Sequence, residues 1–205
     1  MANTQAYFGF TQYQGGAGGA PTFAQSVRRI ASSSGAIYTG DPVMPAVSTA
    51  NGYIVQGSPG STTLAGIFVG CKYLSTSLGR TVWSSYWPGS GATGDVEAYV
   101  IDDPNSRFIV QTSTSSFPMT GSVSTMTSGV IGQYAQFSIG TGNTSTGRSG
   151  AYLSSLATTA TFPFIITDYQ IGVGNGGDPT TQYCNVIVGF NNEWLRSNGA
   201  VTGIS

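Results

Sequence analysis

Four acidic side chains lie close together along the chain and invite a reading as a general acid and base: Asp95, Glu97, Asp102 and Asp103. A glycoside hydrolase works with two carboxyl groups flanking the bond it breaks. Alternate residues of a strand share a face, so Asp95 and Glu97 would stand side by side. Asp102 and Asp103 precede Pro104 and Asn105, and this composition turns a chain without needing any chemistry. The remaining machinery of hydrolysis is missing from the sequence. There is no histidine, so Ser-His and Cys-His nucleophile pairs and His-containing zinc sites are excluded. No GxSxG elbow occurs, and Lys72 is followed by Tyr73 rather than by the Ser or Thr of a phosphate loop. The run IGVGNGGDP (171–179) holds a GxG outside any strand-helix-strand context. Its residues suit the positive φ values of a surface loop, with a calcium site at Asp178 as the alternative. Cys71 and Cys184 lack CxxC spacing and read as buried thiols, a long-range disulfide being the other option. These residues predict neither an enzyme nor a cofactor.

The large aromatic side chains are grouped more tellingly than the acids. TVWSSYWPGSG (81–91) carries Trp83, Tyr86 and Trp87. In a regular strand Trp83, Ser85 and Trp87 share one face, with Ser84 and Tyr86 on the other, which sets two indoles about 7 Å apart as a flat plate. Such a plate is a core element, a platform on which sugars stack, or an anchor against another chain, and spacing alone does not choose. A second group, Tyr7, Phe8, Phe10 and Tyr13, stands ahead of QGGAGGAP (14–21), which is flexible spacer composition. Residues 1–24 are therefore expected to form an extended arm whose rings pack on something, with a frayed terminus as the plain alternative. Residues 25–205 are expected to form a single domain.

What must hold these rings in place is a β-fold. The charged fraction is 7%, far below the roughly 25% usual in globular domains, and the polar positions are filled by hydroxyl and amide groups. A net charge of −1 offers no basic field for nucleic acid. Hydrophobic residues at 40% and aromatics at 12% supply the apolar surface that disordered segments lack. No apolar run of about 18 residues is present to span a bilayer, so no membrane partner is expected. MANTQAYFGF lacks the pattern of a secretory signal, which makes cytosolic synthesis the expectation. Apolar and β-branched runs at 52–56, 63–74, 80–87, 95–102, 107–112, 130–139, 159–167 and 182–190 are separated by Gly, Pro and Ser/Thr clusters. Val96, Ala98 and Val100 alternate with Glu97, Tyr99 and Ile101, whereas IFVG and CNVIVGF are apolar on both faces and belong in a centre. The pattern predicts an all-β, antiparallel β-sandwich or jelly-roll-like domain. One short helix is expected over AQSVRRIA (24–31).

Several segments, in order along nearly the whole chain, resemble the capsid decoration, or cement, proteins of tailed bacteriophages: MANTQAYFGF, GDPV (40–43), AGIFVGCKYL (65–74), TVWSSYWPGS (81–90), AYVIDDPN (98–105), YQIGVGNGGDPTTQY (169–183) and VIVGFNN (186–192). These are packing and turn motifs without a catalytic signature. The resemblance implies a virion structural protein, assembled in the host cytoplasm, that sits as a homotrimer on the outside of an icosahedral shell and joins capsomers of the major capsid protein. In this reading Tyr7, Phe8, Phe10 and Tyr13 anchor the arm, and Trp83, Tyr86 and Trp87 anchor the body, against other polypeptides. The competing reading is a head-fibre or receptor-binding domain holding host glycans on its aromatic plate. A shell-forming subunit is disfavoured because no long-helix pattern is present.

Overall fold

A computed structural model describes residues 2–15, 20–21, 24–46, 52–113, 117–118, 130–158 and 160–194. Among these the chain is all β, without a helix. Its strands are β1 (Thr11–Gln14), β2 (Ser26–Ile30), β3 (Ile37–Tyr38), β4 (Pro42–Pro45), β5 (Tyr53–Gln56), β6 (Gly66–Ser75), β7 (Thr81–Ser84), β8 (Tyr86–Trp87), β9 (Ala92–Ile101), β10 (Arg107–Gln111), β11 (Tyr134–Ser138), β12 (Tyr152–Ala157), β13 (Phe164–Tyr169) and β14 (Asn185–Phe190). Each of the apolar runs read from the sequence overlaps one or more of them. No helix among the described residues is long and apolar enough to cross a membrane.

Two layers share the work. One is an antiparallel sheet in the order β1-β10-β14-β13-β11-β12. The other runs β4-β5-β2-β9-β6-β7 and closes on itself, because the start of β6 also pairs with β4 through Pro42↔Ile67 and Val43↔Gly66. The result is a five-stranded barrel, β4-β5-β2-β9-β6, with β7 added on the free side of β6. One barrel pair, β2 with β5, is parallel, a departure from the antiparallel expectation. Closure depends on Gly66. Its φ of +137° and the 2.5 Å gap between an added Cβ and the Ile101 carbonyl oxygen leave no room for a side chain where β6 swings from β9 onto β4.

Closing a sheet gives every strand an inside and an outside, and the alternation in the sequence follows that division. Val96, Ala98 and Val100 of β9 fill the barrel with Phe68 and Cys71 of β6, Ile30, Ile54 and Trp87. Ile67 of β6 and Ile101 of β9 point the other way, into a second core against Phe108, Phe137, Phe164, Ile166, Val186, Val188 and Phe190 of the open sheet, with Val69 packed at its edge. β6 is therefore apolar on both faces because it is the wall between two cores. β14 is buried along its whole length at the centre of the open sheet.

The helix expected over 24–31 is a strand. β2 pairs with β9 from Ser26↔Val100 to Ile30↔Val96 and with β5 through Arg29↔Tyr53, so it gains ladder bonds on both sides. A helix this short cannot recover its nucleation cost alone, and Val27 outward with Ile30 inward satisfies the barrel. A buried polar joint ties the layers together: Asp41 Oδ2 accepts from the Tyr38 N–H and the Gln56 amide at 2.8 Å each, and Oδ1 from the Ser149 hydroxyl at 2.5 Å. Burial raises the Asp41 pKa against the lowering effect of those bonds, Ser149 first.

Candidate protein interface on the barrel

The segment TVWSSYWP does not form one plate. β7 follows β6 as far as Cys71↔Ser84, then the chain leaves and β8 pairs with β3 through Ile37↔Trp87 and Tyr38↔Tyr86. The break at Ser85 is fixed from outside the segment, since the Thr39 N–H and hydroxyl both donate to the Ser85 carbonyl. The Tyr86 N–H turns onto the Ser84 hydroxyl. Regular alternation is lost across the break, and the two indoles part company: Trp83 is 67% exposed on the outer wall while Trp87, at 5%, closes the barrel interior. Trp87 meets Tyr73 edge-on at 5.2 Å, and Tyr86 stacks on Tyr38 at 5.3 Å. Trp87 is thus a core residue and not a partner's anchor, because the kink at Ser85 carries it under the wall.

Register places Trp83 at the end of a row that crosses four strands. Arg29 of β2 opposes Glu97 of β9, Glu97 opposes Lys72 of β6, and Lys72 opposes Trp83 of β7. Charge alternates along this row and ends on an aromatic face. Lys72 Nζ lies 3.0 Å from Glu97 and 5.9 Å from the centre of the Trp83 ring; the hydrogen bond to Glu97, ahead of its charge, holds the ammonium above its ordinary pKa. Arg29 reaches back along the sheet to Asp95 at 3.0 Å. Two cations and two carboxylates leave the face with no net charge. Around the row lie exposed Val27, Leu74 and Leu78, and Tyr99 stands opposite Val27. The paired acids and exposed apolar side chains make a surface that can be dried without stranding a charge.

Asp95 and Glu97 do share a face of β9, as strand geometry requires, but each is held by the cation of a neighbouring strand. Asp102 turns away to Arg28 and Ser26, and Asp103 caps its turn by accepting the Asn105 N–H. The candidate acids are therefore split between separate jobs. Asp178 Oδ1 accepts from both the N–H and the hydroxyl of Thr180, which lower its pKa, the hydroxyl more. No group of three metal-ligating side chains forms among the described residues.

The amino-terminal rings are bound mostly by their own chain. Phe10, 3% exposed, stacks on Phe164 at 4.5 Å in the core between the layers. Tyr7 stacks on Tyr152 at 4.0 Å, Phe8 is half-buried, and Tyr13 alone of the four is exposed. β1 then joins the open sheet beside β10. Ahead of these rings, Asn3 and Thr4 are latched to the glycine run: Asn3 Oδ1 accepts from the Gly176 N–H at 3.0 Å, the Asn3 amide donates to the Asp178 carbonyl at 2.8 Å, and Thr4 and Asn175 share three further bonds. Phe10 is hence corrected from an anchor on a partner to a core residue of the body, while half-buried Tyr7 keeps part of its ring exposed. The cause is local: Gly9 at φ +76° bends the chain against Ser149, where any Cβ would collide at 2.6 Å, and drops Phe10 inward.

Of the residues named from sequence, Trp83 and Tyr13 remain exposed large aromatics. Val27, Arg29, Lys72 and Leu74 enter the face through cross-strand register, and the only sequence signal for them was the alternation of Glu97 and Tyr99 in β9. No protein-family model, no curated protein and no solved structure matches this chain.

Proposed function

We propose that this chain is a capsid decoration (cement) protein of a tailed bacteriophage, binding the outside of the shell as a homotrimer and bridging major capsid protein subunits of neighbouring capsomers. The outer barrel face is the docking surface. The observation that carries the reading is Trp83, 67% exposed at the end of the Arg29–Glu97–Lys72 row. Trp is among the residues most enriched at binding hot spots, and charges already paired within the face need no partner when it is covered. The segment resemblance set out above supports the same role.

The physics of cementing suits such a face. A ligand that binds only the expanded lattice stabilises that lattice by mass action. Three linked protomers raise the effective concentration of each contact, and a face of zero net charge keeps its grip as salt rises. The glycan-binding alternative loses the plate on which it stood, since Trp83 and Trp87 lie on opposite sides of the barrel wall. The test is co-sedimentation of purified chain with expanded shells that lack it. Wild type is expected to saturate the shell, and Trp83→Ala to stay folded yet lose occupancy. Full occupancy by Trp83→Ala overturns the docking assignment.

A further inference from the structure

Asn-Gly occurs three times in the sequence, at 51–52, 175–176 and 198–199, and of these pairs 175–176 alone lies wholly among the described residues. Asn-Gly is the least durable link of a protein chain, because glycine has no side chain to shield its amide nitrogen from the neighbouring carboxamide. Here the fold asks for both residues. Gly176 has φ +83°, and an added Cβ would lie 2.3 Å from Asn185 Oδ1. Asn175 both accepts and donates: its Oδ1 takes the Thr4 N–H at 2.6 Å and the Thr4 hydroxyl at 3.1 Å, and its Nδ2 donates to the Thr4 carbonyl at 2.9 Å. We propose that Asn175–Gly176 is a self-modification site gated by the amino-terminal segment: it deamidates when Asn3 and Thr4 let go, and its product keeps them from docking again. This chemistry belongs to the chain itself and is independent of the shell-docking face.

The reaction consumes one water and releases one ammonia. The Gly176 nitrogen gives up its proton and bonds to Asn175 Cγ, the carboxamide nitrogen takes a proton and leaves as ammonia, and a five-membered succinimide remains. Water then opens the ring at one carbonyl or the other, leaving an aspartate or an isoaspartate at position 175. Both reacting groups are occupied while the segment is docked. The Gly176 N–H donates to Asn3 Oδ1 at 3.0 Å in a buried position, and Thr4 holds both polar atoms of the Asn175 carboxamide. Neither group can turn onto the other without breaking these bonds, so attack waits on a local opening. Two more bonds from Asn3 make that opening rarer, its amide to the Asp178 carbonyl at 2.8 Å and its N–H to the Thr181 hydroxyl at 3.4 Å.

Charge and space block the return. A carboxylate only accepts hydrogen bonds, so an aspartate at 175 cannot donate to the Thr4 carbonyl and sets a negative charge against that oxygen. An isoaspartate lengthens the main chain by one methylene just ahead of Gly176, where there is no slack. The Asn175 carbonyl accepts from the Asn185 amide at 3.4 Å, and the Gly176 carbonyl from the Asn185 N–H at 2.7 Å.

The experiment follows the full chain by mass spectrometry in mildly alkaline buffer, with and without urea, after cleavage ahead of aspartates, which isolates residues 168–177. Exchange of amide for acid at Asn175 is expected in urea and about tenfold slower or more in the native protein, since several hydrogen bonds must open before attack. Asn3→Ala, which leaves the reacting groups intact, is expected to speed the native reaction about tenfold while Asn51 and Asn198 keep their wild-type rates. No conversion at Asn175 in urea overturns the site. A native rate equal to that in urea, an unchanged rate in Asn3→Ala, or acceleration at all three Asn-Gly pairs overturns the gate. Asn175→Asp tests the return: hydrogen exchange at the Gly176 amide should quicken about tenfold with β14 still protected, and unchanged protection of Gly176 overturns the one-way step. If Asn3→Ala fails to fold, the wild-type comparison with and without urea decides the gate. Shell occupancy enters none of these readouts.

Discussion

Truncating Trp87 and Trp83 separately asks which indole holds the fold and which faces outward. Trp87 is 5% exposed within the barrel core. Replacing a buried Trp by Ala removes its transfer free energy and leaves a cavity, together about 3–5 kcal/mol. Trp83 is 67% exposed, so only about a third of its surface is covered; for a side chain that buries up to about 250 Å², that is roughly 80 Å². At about 25 cal/mol per Å² the loss is at most about 2 kcal/mol, and less once the compactness of the unfolded chain is counted. Urea denaturation followed by circular dichroism measures both. Trp87→Ala is expected to lose about 1 kcal/mol or more of unfolding free energy beyond that lost by Trp83→Ala, with acrylamide quenching of the native protein dominated by Trp83. Equal losses, or a quenching curve unchanged by Trp83→Ala, would refute the division of the two indoles between core and surface.

Three further outcomes follow from the same geometry. Phe10→Ala should cost about 3–5 kcal/mol, lowering Tm by roughly 6–20 °C for a domain of this size, while Tyr13→Ala barely moves it; a thermal scan in which both are silent would show that residues before β2 are a free arm. For Asp41, burial raises the folded-state pKa above the unfolded value of about 3.9, so its contribution to stability is fully present below that value and is lost as pH rises through the folded pKa. The stability of wild type minus that of Asp41→Asn, from urea titrations between pH 3.5 and 7, should therefore fall as pH rises, and a difference that grows with pH contradicts the sign. Cys71 and Cys184 are buried free thiols in different cores, with burial pushing Cys71 up to about 12. At pH 8 only about one Cys71 in ten thousand is thiolate, so Ellman's reagent should find no reactive thiol until denaturant is added and two thereafter; prompt reaction, or none after denaturation, contradicts the packing.

The fold was legible where pattern and burial coincide. Val96, Ala98 and Val100 announce one covered face of β9, and the doubly apolar IFVG and NVIVGF runs mark the strands that end up with both faces covered. Barrel closure was not legible, because β4 is PVMP, whose two prolines read against a strand, and because a parallel β2–β5 pair rests on contacts distant in sequence. Ser26–Ile30 carries a short amphipathic pattern that both a helix and a strand satisfy, and only pairing on both sides decides it. The aromatic plate failed for a related reason: Ser84 and Ser85 look like two more residues of a strand, and the kink between Trp83 and Trp87 is imposed by Thr39, forty-odd positions earlier in the chain. The docking face needed register, which joins Arg29, Glu97, Lys72 and Trp83 across four strands and which no single segment encodes.

The role on the shell is tested most directly by a reconstruction of the intact virion that carries this chain. The proposal expects density for three copies around the three-fold and quasi-three-fold positions of the outer surface, each with the Trp83 face of its barrel against the major capsid protein. Density confined to the tail or to a fibre tip, or a barrel seated with Trp83 toward solvent, would contradict it.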